Sequence, residues 1–188
     1  MAPIHGMVSP FMGLSAFCTD GELCNVVIET PKGSRNKFDY DPELGLFRLG
    51  GVLPLGAVFP VDFGFVPSTL GGDGDPLDVL TLMDEPAFTG CLVTVRLLGV
   101  IEAEQSEGGE TTRNDRLIAV AAKSRNHHDV RSLDDINANR IDEIEHFFVS
   151  YNVSKGKRFT PLGRSGPERA RQIVAAGLNE GTEAGRSS

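Results

Sequence analysis

Gly72-Asp73-Gly74-Asp75-Pro76-Leu77-Asp78, running straight into the apolar stretch Val79-Leu80-Thr81-Leu82-Met83, decides how this chain is read. Glycine and proline force a tight turn, which lets the carboxylates of Asp73 and Asp75 converge instead of splaying along a regular element. Asp78, at the start of the strand that follows, completes an oxygen-lined mouth. Closely held carboxylates that leave room for water are what a hard divalent cation such as Mg²⁺ requires. Asp, Gly and Pro are also the commonest turn formers, so a solvated turn explains the same letters. A calcium EF-hand loop fits poorly, because Leu77 occupies the fifth ligand position and a strand follows where a helix should stand. The rest of the chain has to choose between the first two readings.

Composition narrows the field. A chain of 188 residues suits one domain with a sizeable core. Its net charge of -8 argues against nucleic acid or an anionic membrane as a partner, since both demand clustered Lys and Arg. Cys18, Cys24 and Cys91 are odd in number and lack Cys-x-x-Cys spacing, which suggests neither a disulfide framework nor a thiolate metal site and fits a reducing, cytoplasmic setting. No apolar run approaches the length of a membrane span. Residues 1–21 read as an N-terminal arm, residues 22–178 as a single domain and residues 179–188 as a polar tail.

Outward from the acidic turn, residues 22–30 carry the β-branched run Val26-Val27-Ile28 and read as a strand ending at Pro31. Alternation places Glu29 either on an exposed face or in a cavity wall. Residues 35–40 pair with 44–49 across Asp41-Pro42-Glu43, which puts Lys37 and Asp39 on one face, as a surface ion pair or as part of an anion site. Gly50 to Gly56 reads as an interruption, and Phe59, Phe63 and Phe65 as core. Cys91 to Ile101 is a long strand broken at Gly99. Glu102 to Asn114 lacks apolar periodicity and reads as a mobile loop before the strand at residues 116–122. His127 and His128 read as surface residues. A helix begins near Ser132 and carries Ile141, Ile144, Phe148 and Tyr151 on one stripe. Lys155-Gly156-Lys157-Arg158 is a basic turn, read as a solvated charge run or as an anion contact, and Pro167 opens a last helix through Ile173, Val174 and Leu178. Close strands followed by late helices imply an α+β arrangement, a small and mostly antiparallel barrel with helices at its side.

The run Val-Val-Ile-Glu-Thr-Pro-Lys-Gly-Ser-Arg-Asn-Lys-Phe-Asp, then Phe-Pro-Val-Asp-Phe-Gly-Phe-Val-Pro, then Gly-Asp-Gly-Asp-Pro-Leu-Asp-Val-Leu resembles the family I soluble inorganic pyrophosphatases. Met83-Asp84-Glu85-Pro86, Leu117-Ile118-Ala119-Val120 and His146-Phe147-Phe148 continue the likeness across residues 22 to about 160. The resemblance implies a five-stranded OB-like antiparallel barrel with flanking helices, Mg²⁺-dependent hydrolysis of pyrophosphate to two phosphates, and a homo-oligomer, a hexamer by resemblance. It implies that Asp73, Asp75 and Asp78 hold metal and that Asp75 is the catalytic base. Glu29, Lys37, Asp39 and Tyr151 then belong to the substrate cavity, with Arg116 beside them. The metal position before the Ile-Ala-Val strand falls on Asn114, with Asp115 as the alternative.

Several positions depart from the family pattern. A phosphate-binding arginine falls on Gly50-Gly51, tyrosine positions hold Phe59 and Phe63, and the lysine after the late tyrosine is Asn152. A further metal-binding aspartate falls near Gln105, with Glu104 and Glu107 as substitutes. These departures leave two other readings in view: hydrolysis of a different phosphoanhydride, and a metal-binding assembly protein with impaired catalysis.

Overall fold

The computed structural model describes residue 11, residues 13–18 and residues 21–184, with side chains through residue 178. Most of the expected N-terminal arm and the last part of the tail lie outside the described residues. The arm's described part packs onto its own chain: Ala16 is buried, Phe17 bridges to Cys24, and the Phe11 ring stands edge-on to Tyr40 at 5.0 Å.

The architecture is mostly β-sheet with two helices. In chain order the strands are β1 (Cys24–Thr30), β2 (Asn36–Asp41), β3 (Leu46–Val52), β4 (Asp62–Phe65), β5 (Asp78–Leu82), β6 (Leu92–Glu107), β7 (Glu110–Arg113), β8 (Arg116–Ala121) and β9 (Arg158–Ser165). Helix α1 (Ala138–Ser154) precedes β9, and α2 (Pro167–Ala184) follows it. β1 pairs antiparallel with both β4 and β6, β4 with β5, and β6 with β8, whereas β5 and β8 run parallel. The parallel pair is the exception in the expected, mostly antiparallel arrangement. Its ten-residue-plus crossover is supplied by the long β6 and its hairpin, as parallel neighbours require.

Both faces of the central strands are covered, so alternation sorts residues between two cores instead of between core and solvent. Leu80, Leu82, Ile118 and Val120 join Phe59, Phe63 and the α1 residues Ile141, Ile144 and Phe148. Val79, Leu117 and Ala119 face the other way, onto Val26, Ile28 and the α2 residues Ala170 and Val174. Every residue of β8 is buried as a result.

Five local expectations change. Residues 102–113 are an ordered hairpin: β6 continues to Glu107, turns through Gly108 and Gly109 at positive φ, and returns as β7. The reason is pairing, because β9 hydrogen-bonds along the other edge of β6 from Val100 to Ser106 and so supplies the partner that a weakly apolar segment needs. Arg158 therefore opens a strand and is not part of a turn. β3 likewise runs through the glycines to Val52, since Gly50 is the extra residue of a bulge that sets Lys37 opposite Gly51 and Phe38 opposite Leu49. Helix α1 starts at Ala138 behind an Asn137 cap, with only one 3₁₀ turn at Leu133–Asp135. At the far end, the backbone of α2 passes the expected boundary at Asn179 and is described as far as Ala184.

Candidate active site

A cavity of about 420 Å³ opens where β1, β2, β4, the acidic turn, β8 and the end of α1 meet. That volume lies in the usual range of small-molecule sites, roughly 300–1,000 Å³. The acidic turn forms one wall. Gly74, at φ +87°, reverses the chain, the Gly71 amide donates to the Asp75 carbonyl at 2.7 Å, and the Asp75 amide donates to Asp73 Oδ1 at 3.2 Å. This ring of short-range bonds turns Asp73, Asp75 and Asp78 toward one space, and all three line the cavity. Among the described residues, no three His, Cys, Asp or Glu close into a tight metal cage.

The cavity also carries cations. Lys37 Nζ, on a buried side chain, bonds Asp39, lies 3.4 Å from Glu29 Oε2 and sits 4.6 Å above the Phe63 ring. Glu29 also accepts the Tyr40 amide at 2.7 Å. It is buried, so the cavity-wall reading holds and the exposed-face one does not. Arg116 is 6 % exposed and lies over Phe148 and Phe159, with its guanidinium bonded to Asp78 and Asn114. Its Nε, and the hydroxyl of Tyr151, are buried without a hydrogen-bond partner.

Burial of carboxylates shows in the protonation equilibria. Burial raises Glu29 to about 7 against the pull of Lys37. Burial of its carboxyl by the surrounding walls, followed by the charges of Asp73 and Asp39, holds Asp75 above the usual range, although the residue itself is open at the mouth. Asp78 is raised by burial too, with Arg116 and Lys37 opposing. Burial alone would lower Lys37, but Glu29 and Asp39 outweigh it and hold the ammonium form more firmly than usual.

Glu29 carries a sign that can be measured. Its folded pKa, about 7, stands above the ordinary 4.5, so the native state binds the extra proton and stability falls as pH rises between those values. A shift of that size is on the order of 3 kcal/mol. In chelator-treated protein, urea unfolding at pH 5 and pH 8 should show wild type losing more stability with rising pH than Glu29→Gln does. Parallel profiles for the two proteins would remove Glu29 as the cause.

The remaining sequence candidates divide cleanly. Asn114 and Arg116 face the cavity because alternate residues of the segment share a side. Asp115, the alternative ligand, is therefore turned away: it accepts the Ala103 amide at 2.9 Å and Arg113 Nε at 2.6 Å. Gln105 lines the cavity and accepts from Asn114 at 3.3 Å, whereas Glu104 and Glu107 do not line it, and Glu107 pairs with Lys157 at 2.7 Å. Asn152 spends its amide on the Phe148 carbonyl at 2.8 Å.

Lys155 and Lys157, both from the basic stretch, line the cavity, which favours its reading as an anion contact over a solvated charge run. The positioning device is the end of α1, where Lys157 N donates to Asn152 O and Gly156 N, at φ +75°, donates to Val153 O. This is a Schellman closure, and Gly156 was its readable signal.

The comparisons with known proteins agree with this geometry. The family model described as inorganic pyrophosphatase matches residues 26–181. The inorganic pyrophosphatase of a Synechocystis strain is 43% identical over 141 residues, covering 75% of this chain and 81% of the relative. That of Halalkalibacterium halodurans is 41% identical over 153 residues, covering 81% of this chain and 91% of its own. Among solved structures, the inorganic pyrophosphatase of Thermus thermophilus superposes with a TM-score of 0.84 at 34% identity, covering 92% of this chain and 98% of that one. With the model spanning most of the sequence and relatives above 40% identity aligned over most of both chains, the chain belongs to the inorganic pyrophosphatase family.

Proposed function

We propose that this protein hydrolyses inorganic pyrophosphate to two phosphates, with Mg²⁺ as its divalent cation. The observation that carries the reading is one cavity lined by the carboxylates of Asp73, Asp75 and Asp78 together with the cations Lys37 and Arg116, the latter bonded to Asp78. A small anion with charge on both ends fits among them.

The donor set suits the metal. Mg²⁺ keeps several waters and takes only one or two carboxylates, so an open group of hard oxygens fits it better than a closed cage. Burial first, and neighbouring carboxylates after it, raise the affinity of Asp75 and Asp78 for protons, and a cation bound beside them would oppose both. Asp73, Asp75 and Asp78 would hold the cation, with Asn114 as a weaker, neutral donor. Bound there, it supplies charge neutralisation and an acidified water.

The chain's own residues do the rest. Asp75, exposed at the mouth and holding its proton more readily than an ordinary aspartate, takes the proton of the attacking water. Lys37 and Arg116 face the phosphoryl oxygens and offset the charge that builds on the leaving group. The unpartnered Tyr151 hydroxyl is a donor in reserve for the same oxygens.

The wider reading is a single pyrophosphatase-like domain over residues 22–178, built on a five-stranded OB-like barrel. Its support is that β1 pairs with both β4 and β6, which returns the order β1, β4, β5, β8, β6 to its start. We place the protein in the cytoplasm as a homo-oligomer of hexameric type. Among the described residues no helix is long and apolar enough to cross a membrane.

Phosphate release from pyrophosphate should require added Mg²⁺ and stop on chelation. Asn114 and Asn152, neutral where charge would serve, favour the opposing reading of a protein that keeps the fold without turnover. Absence of release from pyrophosphate and from every other phosphoanhydride tried, at any Mg²⁺ concentration, would establish that reading.

A further inference from the structure

Beside the main cavity lies a second one of about 330 Å³, lined by Arg35, Lys37, Leu53, Tyr151, Ser154 and Lys155 around an open floor at Gly51. The two cavities share Lys37, Tyr151 and Lys155. They are therefore neighbouring compartments of one binding space, with those three side chains between them.

Three features of the second compartment point to an anion. Among the described residues it is lined by Arg35, Lys155 and Lys37 and by no carboxylate, Lys37 being the one of the three already paired, with Asp39 and Glu29, in a chain whose net charge is -8. The main cavity, by contrast, is lined by Glu29, Asp39, Asp73, Asp75 and Asp78. Lys155, with Nζ 4.6 Å over the Tyr151 ring, has no carboxylate partner among the described residues, and Arg35 is aimed by its Nε bond to Leu53 O at 2.8 Å, which leaves its terminal nitrogens for a ligand. The space itself is a property of Gly51. A Cβ there would meet nothing within 4 Å, whereas at Gly50 it would fall on the Asp39 carboxylate.

We propose that this compartment is a phosphoryl subsite that extends the main cavity, so that the protein takes linear inorganic triphosphate with its third phosphoryl group between Arg35 and Lys155. The proposal rests on the pyrophosphate reading above. Triphosphate fits the layout because two of its phosphoryl groups, one terminal and one inner, meet the carboxylate-lined main cavity and the third, at the other end, meets a lining without carboxylates. One triphosphate and one water give one phosphate and one pyrophosphate. The water oxygen bonds to phosphorus, the P–O–P bridge breaks with its oxygen leaving on the departing phosphate unit, and the water's proton passes to Asp75 and then to solvent.

The test compares wild type, Gly51→Leu and Lys155→Met, measuring calorimetric binding of triphosphate and pyrophosphate with and without Mg²⁺, and phosphate release from each. Gly51→Leu fills the compartment from a backbone that accepts a side chain. A charge-assisted contact predicts that wild type binds triphosphate about tenfold or more tightly than pyrophosphate. Gly51→Leu should abolish that preference, and Lys155→Met should reduce it. Equal wild-type affinity for the two anions, or a Gly51→Leu variant that keeps the preference, overturns the subsite. A preference erased by Gly51→Leu with no phosphate released from either anion upholds the subsite and overturns the proposed hydrolysis. Turnover of pyrophosphate with no preference for triphosphate does the reverse.

Discussion

Asp75→Asn should lower Mg²⁺-dependent phosphate release from pyrophosphate by about 10²- to 10⁴-fold, the range that a positioned general base supplies. Asparagine preserves the shape of the side chain and removes both the proton acceptor and one negative charge. The turn should survive, because its framing bonds run through the Asp75 backbone: the amide to Asp73 and the carbonyl from Gly71. Thermal unfolding of the variant should accordingly stay close to wild type, and relief of repulsion from Asp73 and Asp39 would favour the folded state if anything. A large loss of rate with an unchanged melting curve assigns the proton transfer to this carboxylate. An unchanged rate would move the base elsewhere in the cavity.

Arg116→Met should reduce both rate and stability, for separable reasons. The methionine stem can keep the contacts with Phe148 and Phe159 but leaves Asp78 without its cation. Removing one partner of a buried pair typically costs roughly 3–5 kcal/mol, and Asp78 should fall at the lower end because it retains some solvent and can take a proton. For a chain of this size, about 3 kcal/mol lowers the melting temperature by roughly 6–12 °C. The loss of a charge-stabilising donor in the site should separately cost about 10²–10³ in rate. Adding Asp78→Asn to Arg116→Met removes the stranded carboxylate, so stability should recover while turnover does not. Recovery of both would show that Arg116 acts only through Asp78.

How much of this was legible in advance varies with the range of the interaction. The acidic turn, the β-branched strand ahead of Pro31, the phenylalanine core and the stripe of Ile141, Ile144 and Phe148 are all local patterns, and each stands in the structure where its spacing put it. Glu29, Lys37 and Asp73 could be paired with one another only through the family resemblance, because no periodicity relates residue 29 to residue 73. The hairpin at residues 102–113 was illegible for a related reason. Its residues are polar, and what orders them is β9, a segment more than fifty positions away.

What the sequence by itself determined is the chemistry on offer: three clustered aspartates on a glycine-rich turn, a strand bearing one carboxylate, and a lysine opposite. Turn geometry and strand alternation depend on neighbours a few residues apart, so they are written in the letters. The tertiary structure alone decided which of those groups share a cavity. It turned Asp115 outward and Asn114 inward, tied Arg116 to Asp78, brought Lys155 to the rim of the cavity and set Gly51 beside it. Those outcomes depend on strand register and on helix packing between distant segments, and such contacts are set by the core as a whole.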